Sequence, residues 1–183
     1  AAGVGLVPED RRTQGLILEA SVADNLGLAT MVPTAKFGFA DLKGQRDREN
    51  DTARKLRIRM ANIDQTAGSL SGGNQQKIVF GKWSMANVKV LLLDEPTRGV
   101  DVGARVEIYE LINEITANGG AVLMASSDLP EVLGMSDRVL VMSNGKLSGE
   151  MPASEATQER VMSLAVSHMN EDFSENTTAN VEK

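Results

Sequence analysis

The sequence predicts an α/β domain built on a largely parallel sheet. Two short aliphatic runs, Lys89 to Leu93 and Ala121 to Ala125, have the nearly unbroken apolar character of strands covered on both faces. Segments with helical periodicity, Ser71 to Ala86 and Asp101 to Asn118, alternate with them. Strands that alternate with helices in this way join in parallel through crossover helices. A length of 183 residues is that of one domain with room for a sizeable core.

In chain order, Val4 to Val7 is a short apolar strand stopped by Pro8, and Glu9-Asp10-Arg11-Arg12 follows as a charged loop. Ser21 to Thr30 reads as a helix, with Ser21 in the N-cap position and Asp24 at N3. A connection through Pro33 and Gly38 leads to a charged helical segment from about Asp41 to Ala61. Its bases include Arg46, Arg48, Arg54 and Arg57, interleaved with Asp47, Glu49 and Asp51 and without aromatic neighbours. That composition fits a solvated helix face better than a nucleic-acid surface. In the helix from Asp101, Val102, Val106, Tyr109, Ile112 and Ile115 share an apolar stripe, and Gly119-Gly120 ends it. Asp128 to Leu133 reads as a short helix, with Asp128 as N-cap and Glu131 completing a capping box. Val139 to Met142 and Lys146 to Gly149 flank Ser143-Asn144-Gly145, a hairpin signal, and Glu155 to Val166 is a closing helix.

Composition narrows the function classes. A net charge of −6 argues against non-specific binding to nucleic acid, which needs basic groups against phosphates. The cysteine count of zero removes disulfides and thiolate metal sites. No apolar run approaches transmembrane length and no signal peptide opens the chain, so a role at a membrane would come through a partner. The opening Ala-Ala-Gly-Val-Gly-Leu-Val-Pro has no initiator Met and runs straight into a strand, the pattern of a piece of a longer polypeptide. From Glu171 to Lys183 the chain is acidic and rich in Asn, Thr and Ser, which reads as a disordered tail. The single histidine, His168, stands beside it and reads as a surface residue.

Two segments carry chemistry. Residues 70 to 77 read Leu-Ser-Gly-Gly-Asn-Gln-Gln-Lys at the start of a helix. A helix N-terminus presents unpaired N–H groups and a positive partial charge, Gly72 and Gly73 leave an approaching phosphate unobstructed, and Ser71 either caps the helix or donates its hydroxyl to a phosphate oxygen. Residues 90 to 97 read Val-Leu-Leu-Leu-Asp-Glu-Pro-Thr. The aliphatic run sets Asp94 at the carboxyl edge of the sheet, where α/β proteins bind ligands and where a carboxylate can hold Mg²⁺. Glu95 beside it can orient or deprotonate an attacking water. The phosphate-binding loop Gly-x-x-x-x-Gly-Lys-Ser/Thr is absent, since no lysine here precedes Ser or Thr.

Together these strings resemble the signature motif and Walker B strand of an ATP-binding cassette ATPase, and Thr97-Arg-Gly-Val-Asp101 resembles its D-loop. With Glu9-Asp-Arg-Arg12 and Ser126-Ser-Asp-Leu-Pro-Glu131, the set is similar to the second nucleotide-binding domain of bacterial monosaccharide importers of the ribose, xylose and galactoside type. The resemblance runs from about Gly3 to Met169. It implies a partial P-loop NTPase core of RecA type without its phosphate-loop portion, comprising residues 1–168. A helical subdomain would lie at about 16–86 and the remaining α/β core at about 87–168, with the tail 169–183 outside. It implies ATP and Mg²⁺ as ligands, with Asp94 on the metal and Glu95 and Ser127 as catalytic residues. Ser71, Gly72, Gly73, Gln75, Glu9 and Asp101 would line the nucleotide. Glu9 stands at the family's Q-loop glutamine and Ser127 at its switch histidine; a serine can hydrogen-bond a γ-phosphate but takes no proton near neutral pH. The implied partners are the first nucleotide-binding domain of the same fused protein, transmembrane permease subunits and, indirectly, a periplasmic sugar-binding protein, with no nucleic acid. The implied place is the cytoplasmic face of the bacterial inner membrane. A truncated cassette that docks a partner without binding nucleotide is the alternative. On this view sheet edges and apolar faces stay uncovered within these residues.

Overall fold

The structure is a computed structural model and describes residues 3–30, 35–36 and 39–167. His168, the acidic segment 169–183 and the connection around Pro33 and Gly38 lie outside the described residues. The chain folds as two compact units, Ala1–Ala125 and Ser126–Lys183.

The first unit opens with β1, Val4–Val7. The expected charged loop after it contains a single π-helical turn, Arg11–Gly15. Asp10 induces that turn, its carboxylate accepting from the Arg12 N–H at 2.9 Å and from the Thr13 hydroxyl at 2.7 Å. Helix α1, Val22–Gly27, starts at a complete capping box between Ser21 and Asp24 and ends three residues before the expected Thr30. The two-residue strands β2, Ala35–Lys36, and β3, Phe39–Ala40, pair antiparallel. Helix α2, Leu42–Lys55, ends six residues before the expected Ala61, because Arg57 turns the chain at φ 50° and the Ile58 N–H bonds the Ala53 carbonyl. Nor is it solvated on all sides. Gln45, Glu49 and Ala53 form a buried stripe, with the Gln45 amide bonded to the Glu49 carboxylate at 2.9 Å beside Gly27 of α1. Helix α3, Gly72–Met85, buries Ile78, Val79 and Phe80.

Strand β4, Val90–Asp94, helix α4, Val102–Ala117, and strand β5, Ala121–Ala125, complete the unit. The sheet order is β1-β4-β5, all parallel, with Val7 opposite Leu93 and Asp94 opposite Ala125. The helical segment expected at about 16–86 falls in the same unit as this sheet. Two burial expectations fail. One face of the sheet, carrying Val7, Leu91 and Leu93, is buried, whereas Val4, Leu6 and Leu123 on the other are exposed. The strands are therefore covered on one side only. Helix α4 buries Ile108 and Ile112, while Val102 is 81% exposed and Val106 also faces out. The cause is the register at its first turn, where Ala104 rather than Val102 packs against α3. The covered stripe therefore starts at the half-buried Ala104 and runs through Ile108 to Ile112; it departs from the expected one in the first two turns and rejoins it at Ile112, with Tyr109 and Ile115 half-buried.

The second unit holds α5, Leu129–Met135, then β6, Arg138–Ser143, antiparallel to β7, Lys146–Pro152, and closes with α6, Gln158–Val166. The hairpin turn has positive φ at both Asn144 (49°) and Gly145 (76°), as a type I′ connection requires. Its core is Val139, Val141, Met151 and Val161, packed with Leu129, Val132 and Leu164. No described helix is long and apolar enough to cross a membrane.

Candidate functional site

The carboxyl end of the sheet gathers most of the expected residues. Strand β4 delivers Asp94 to an exposed position at its tip. The next residue, Glu95, has left-handed backbone at φ 47°, uncommon for a side chain of this kind, and its N–H bonds the Ala125 carbonyl at 2.9 Å. Two overlapping turns follow, Arg98 N–H to Glu95 carbonyl at 3.1 Å and Val100 N–H to Thr97 carbonyl at 3.2 Å, with Gly99 at φ 65°. Pro96 and Thr97 are buried beneath them. Asp101 ends the loop as N-cap of α4, its carboxylate accepting from the Ala104 N–H at 2.9 Å.

The start of α3 lies against this loop. Ser71 is exposed and makes no side-chain cap; its hydroxyl accepts instead from the Asn74 amide at 2.9 Å. The glycines are needed for internal packing. A Cβ on Gly73 would collide with the Ala104 Cβ, and one on Gly72 would stand 2.6 Å from an Arg11 guanidinium nitrogen and 3.0 Å from the Gly99 carbonyl. They allow α3, the loop after β4 and the turn after β1 to meet at backbone distance. Gln75 is set apart from this surface. It is buried one turn further on, its amide shared between the Ala67 carbonyl at 3.3 Å and the Gly68 carbonyl at 3.4 Å. Glu9 is exposed and ion-paired with Arg98.

Ser127 belongs to the second unit. It is exposed, in a turn held by its neighbours. The Ser126 hydroxyl donates to the buried Glu131 carboxylate and accepts the Asp128 N–H at 3.1 Å, while Asp128 accepts the Glu131 N–H at 3.3 Å. The expected capping box is thus routed through Ser126.

Among the described residues no group of three or more His, Cys, Asp or Glu side chains is placed to enclose a metal. A cavity of about 410 Å³, lined in part by Phe80, Trp83, Leu91, Leu111 and Ile115, lies toward the opposite end of the strands from Asp94. The residues missed from sequence are Arg11, Lys77 and Lys82. The Lys77 ammonium bonds the Arg57 carbonyl and the Glu107 carboxylate of α4, which draws the Glu107 pKa below its usual range. Nothing local in the sequence pairs residues thirty positions apart; only the burial of two lysines on a helix would have hinted at it.

A sequence model of the family described as ABC transporter matches residues 1–98. The chain belongs to the ABC transporter family. The matched stretch contains both Gly72–Gly73 and Asp94–Glu95, while Asp101 and Ser127 lie past it. The ribose import ATP-binding protein RbsA of Corynebacterium glutamicum is 60% identical over 180 residues, covering 98% of this chain and 34% of that protein. A ribose import ATP-binding protein of Streptomyces avermitilis, RbsA 1, is 65% identical over 167 residues, covering 91% and 32% respectively. The chain therefore spans about a third of the length of the curated relatives it matches. Among solved structures, a dimeric ATP-binding cassette in a post-hydrolysis state bound to ADP and Pi superposes with a TM-score of 0.68 at 18% identity, covering 82% of this chain and 62% of that one. An ABC transporter in an inward-facing conformation gives 0.75 at 17% identity, covering 90% and 63%. The fold is accordingly that of ABC ATPases, in the P-loop NTPase class.

Proposed function

We propose that this chain is part of the ATP-binding subunit of a bacterial monosaccharide importer, and that its α3 start and its β4 tip serve two different nucleotide sites. One observation carries the proposal. Within a single compact unit, an exposed helix start without a side-chain cap lies beside a loop that leaves a carboxylate exposed at the rim of a parallel sheet. The first fits the terminal phosphate of a nucleotide held by another domain. The second fits Mg²⁺, which takes one or two carboxylates and completes its shell with phosphate and water, so that an enclosing acidic cluster is not required. The ribose in the names of both relatives favours ribose as the cargo.

In this scheme Asp94 would hold Mg²⁺, whose chemistry is to neutralise charge on the phosphates. Glu95, its backbone fixed by the bond to Ala125, orients the attacking water and takes its proton. The Ser71 hydroxyl and the first N–H groups of α3 bind the phosphate of the opposite site. Asp101 holds the first turn of α4 in place beside Gly73. Glu9 faces the nucleotide from the Q-loop position, and Ser127 hydrogen-bonds a phosphate without acting as a base. The partners are a first cassette domain in the same polypeptide, permease subunits in the membrane and, through them, a periplasmic sugar-binding protein. The subunit works peripherally at the cytoplasmic face.

Two measurements test this. Because Glu9 and Ser127 replace the family's glutamine and histidine, this site should be the weaker of the two: in the complete protein, Glu95→Gln lowers ATP turnover by less than the equivalent change in the other cassette domain, and a larger loss from Glu95→Gln would refute that. The 183-residue chain, which has no phosphate-binding loop, gives no binding signal with Mg-ATP in calorimetry. Micromolar affinity there would mean that the composite-site arrangement is wrong.

A further inference from the structure

The π-helical turn Arg11–Gly15 is clamped at both ends by cationic side chains, Arg11 from the Glu9–Arg12 string and Lys82 from α3, neither of them among the expected site residues. At its front, Arg11 donates from Nη1 to the Arg98 carbonyl at 2.9 Å and from Nη2 to the Gly99 carbonyl at 3.3 Å. The same guanidinium fills the space a Cβ on Gly72 would take. At its back, Lys82 of α3, only 7% exposed, donates to the Gly15 carbonyl at 2.9 Å and stands 5.0 Å from the centre of the Trp83 ring. The gap behind Gly15 is closed as well, since a Cβ there would lie 3.1 Å from Val79. The turn is thus a strut between the body of α3 and the loop 95–101, and its two anchors lie 87 and 67 residues away in sequence.

The energetics argue against simple space filling. Arg11 Nε is buried without a hydrogen-bond partner, and burial lowers the guanidinium pKa. The cation sits at a helix N-terminus, where the helix dipole repels it. A planar fork that reaches two successive carbonyls offsets this by fixing both at once. The π-helix is a rare conformation, and here it stands free between β1 and α1 rather than as a bulge inside an α-helix.

We infer that Arg11 is a positioning residue of the proposed ATPase. It ties the loop 95–101, which follows Asp94, to the turn Arg11–Gly15 by two hydrogen bonds and packs against Gly72 in the first turn of α3. Through this strut a shift of the half of one nucleotide site is passed to the half of the other. Lys82 fixes the rear of the same strut. The inference rests on the proposed function for its catalytic consequence, and on geometry alone for the lock.

The test uses the complete protein with its permease. Arg11→Gln and Arg11→Lys are compared with wild type in ATP titrations of turnover, with thermal melting as the control for folding. Arg11→Gln is expected to lower kcat on the order of tenfold, less than the roughly hundredfold that a 1 Å misplacement of reacting groups can cost. KM for ATP should stay within about twofold, and the Hill coefficient should fall toward one as the sites uncouple. Arg11→Lys, which keeps charge but not the fork, should recover only part of kcat. Hydrogen exchange gives a readout independent of activity: in Arg11→Gln the amides of 72–75 and of 98–100 should exchange faster together. Wild-type kcat and Hill coefficient per folded molecule in Arg11→Gln would overturn the inference, as would faster exchange confined to one of the two segments. If wild type itself hydrolyses no ATP, the proposed function falls, and the exchange experiment alone decides the lock.

Discussion

The two faces of the three-stranded sheet are made from the same strands and nearly the same residues, yet only one is a core. Leu91 is 1% exposed, while Leu123 on the neighbouring strand is 56% exposed. The difference lies wholly in what covers them. Trp83 of α3 closes over Gly5, and α4 packs on β5, so the face carrying Val7, Leu91 and Leu93 is sealed. No described element covers Val4, Leu6 and Leu123. An aliphatic run therefore identifies a strand but does not count its covered faces.

Truncation on the sealed side is the sharpest test of this contrast. Leu91→Ala should destabilise the chain by about 2–5 kcal/mol in urea unfolding, from lost transfer energy plus a residual cavity. A value near zero would mean that α3 and α4 do not close that face in solution. The helix contact at the rim comes next. Gly73→Ala places a methyl against Ala104 and should cost about 1–3 kcal/mol. Ala104→Gly in the same chain should recover most of that loss, as a double-mutant cycle would show. Failure of the rescue would locate the strain elsewhere.

The third test joins the same two helices through charge. Lys77 is 2% exposed, and its ammonium lies between the Arg57 carbonyl and Glu107. Lys77→Met should cost about 1–3 kcal/mol at neutral pH, less than a fully buried pair because Glu107 is partly solvated. The sign of the pH dependence follows from Glu107. Its pKa is lowered from the usual 4.5, chiefly by the Lys77 hydrogen bond. The pair's contribution is therefore complete above the unfolded value and lost as pH falls through the lower folded one. The stability gap between wild type and Lys77→Met should narrow below about pH 4.5. A gap that stays constant in acid would show that packing of the lysine stem, not its charge, holds α3 to α4.

Much of the fold was legible because its signals are local. The Ser21 capping box, the Asn144-Gly145 turn and the strands ending at Val7 and Asp94 each depend on residues within a few positions. The site was legible as two strings for the same reason. What escaped was everything set by distant partners. The exposure of Val102 and Val106 follows from Ala104 meeting Gly73, and the burial of Gln75 follows from carbonyls on the turn before α3. The role of Gly72 as a berth for Arg11 requires knowing that residues 11, 72 and 99 converge. Periodicity cannot report such meetings, and so the glycines looked like open space for a phosphate when they also serve close packing.

The smallest expected effect is the one that most directly probes the open face. Leu6→Ser with Leu123→Ser removes apolar surface that contributes little to this chain's own core, so unfolding free energy should change by no more than about 0.5 kcal/mol. The same pair should alter behaviour between molecules. An uncovered patch flanked by two strand edges favours association, and sedimentation at rising concentration should show wild type forming larger species that the double variant does not. If the double variant instead unfolds as readily as Leu91→Ala, both faces are buried in solution, and some other part of the polypeptide covers the second one.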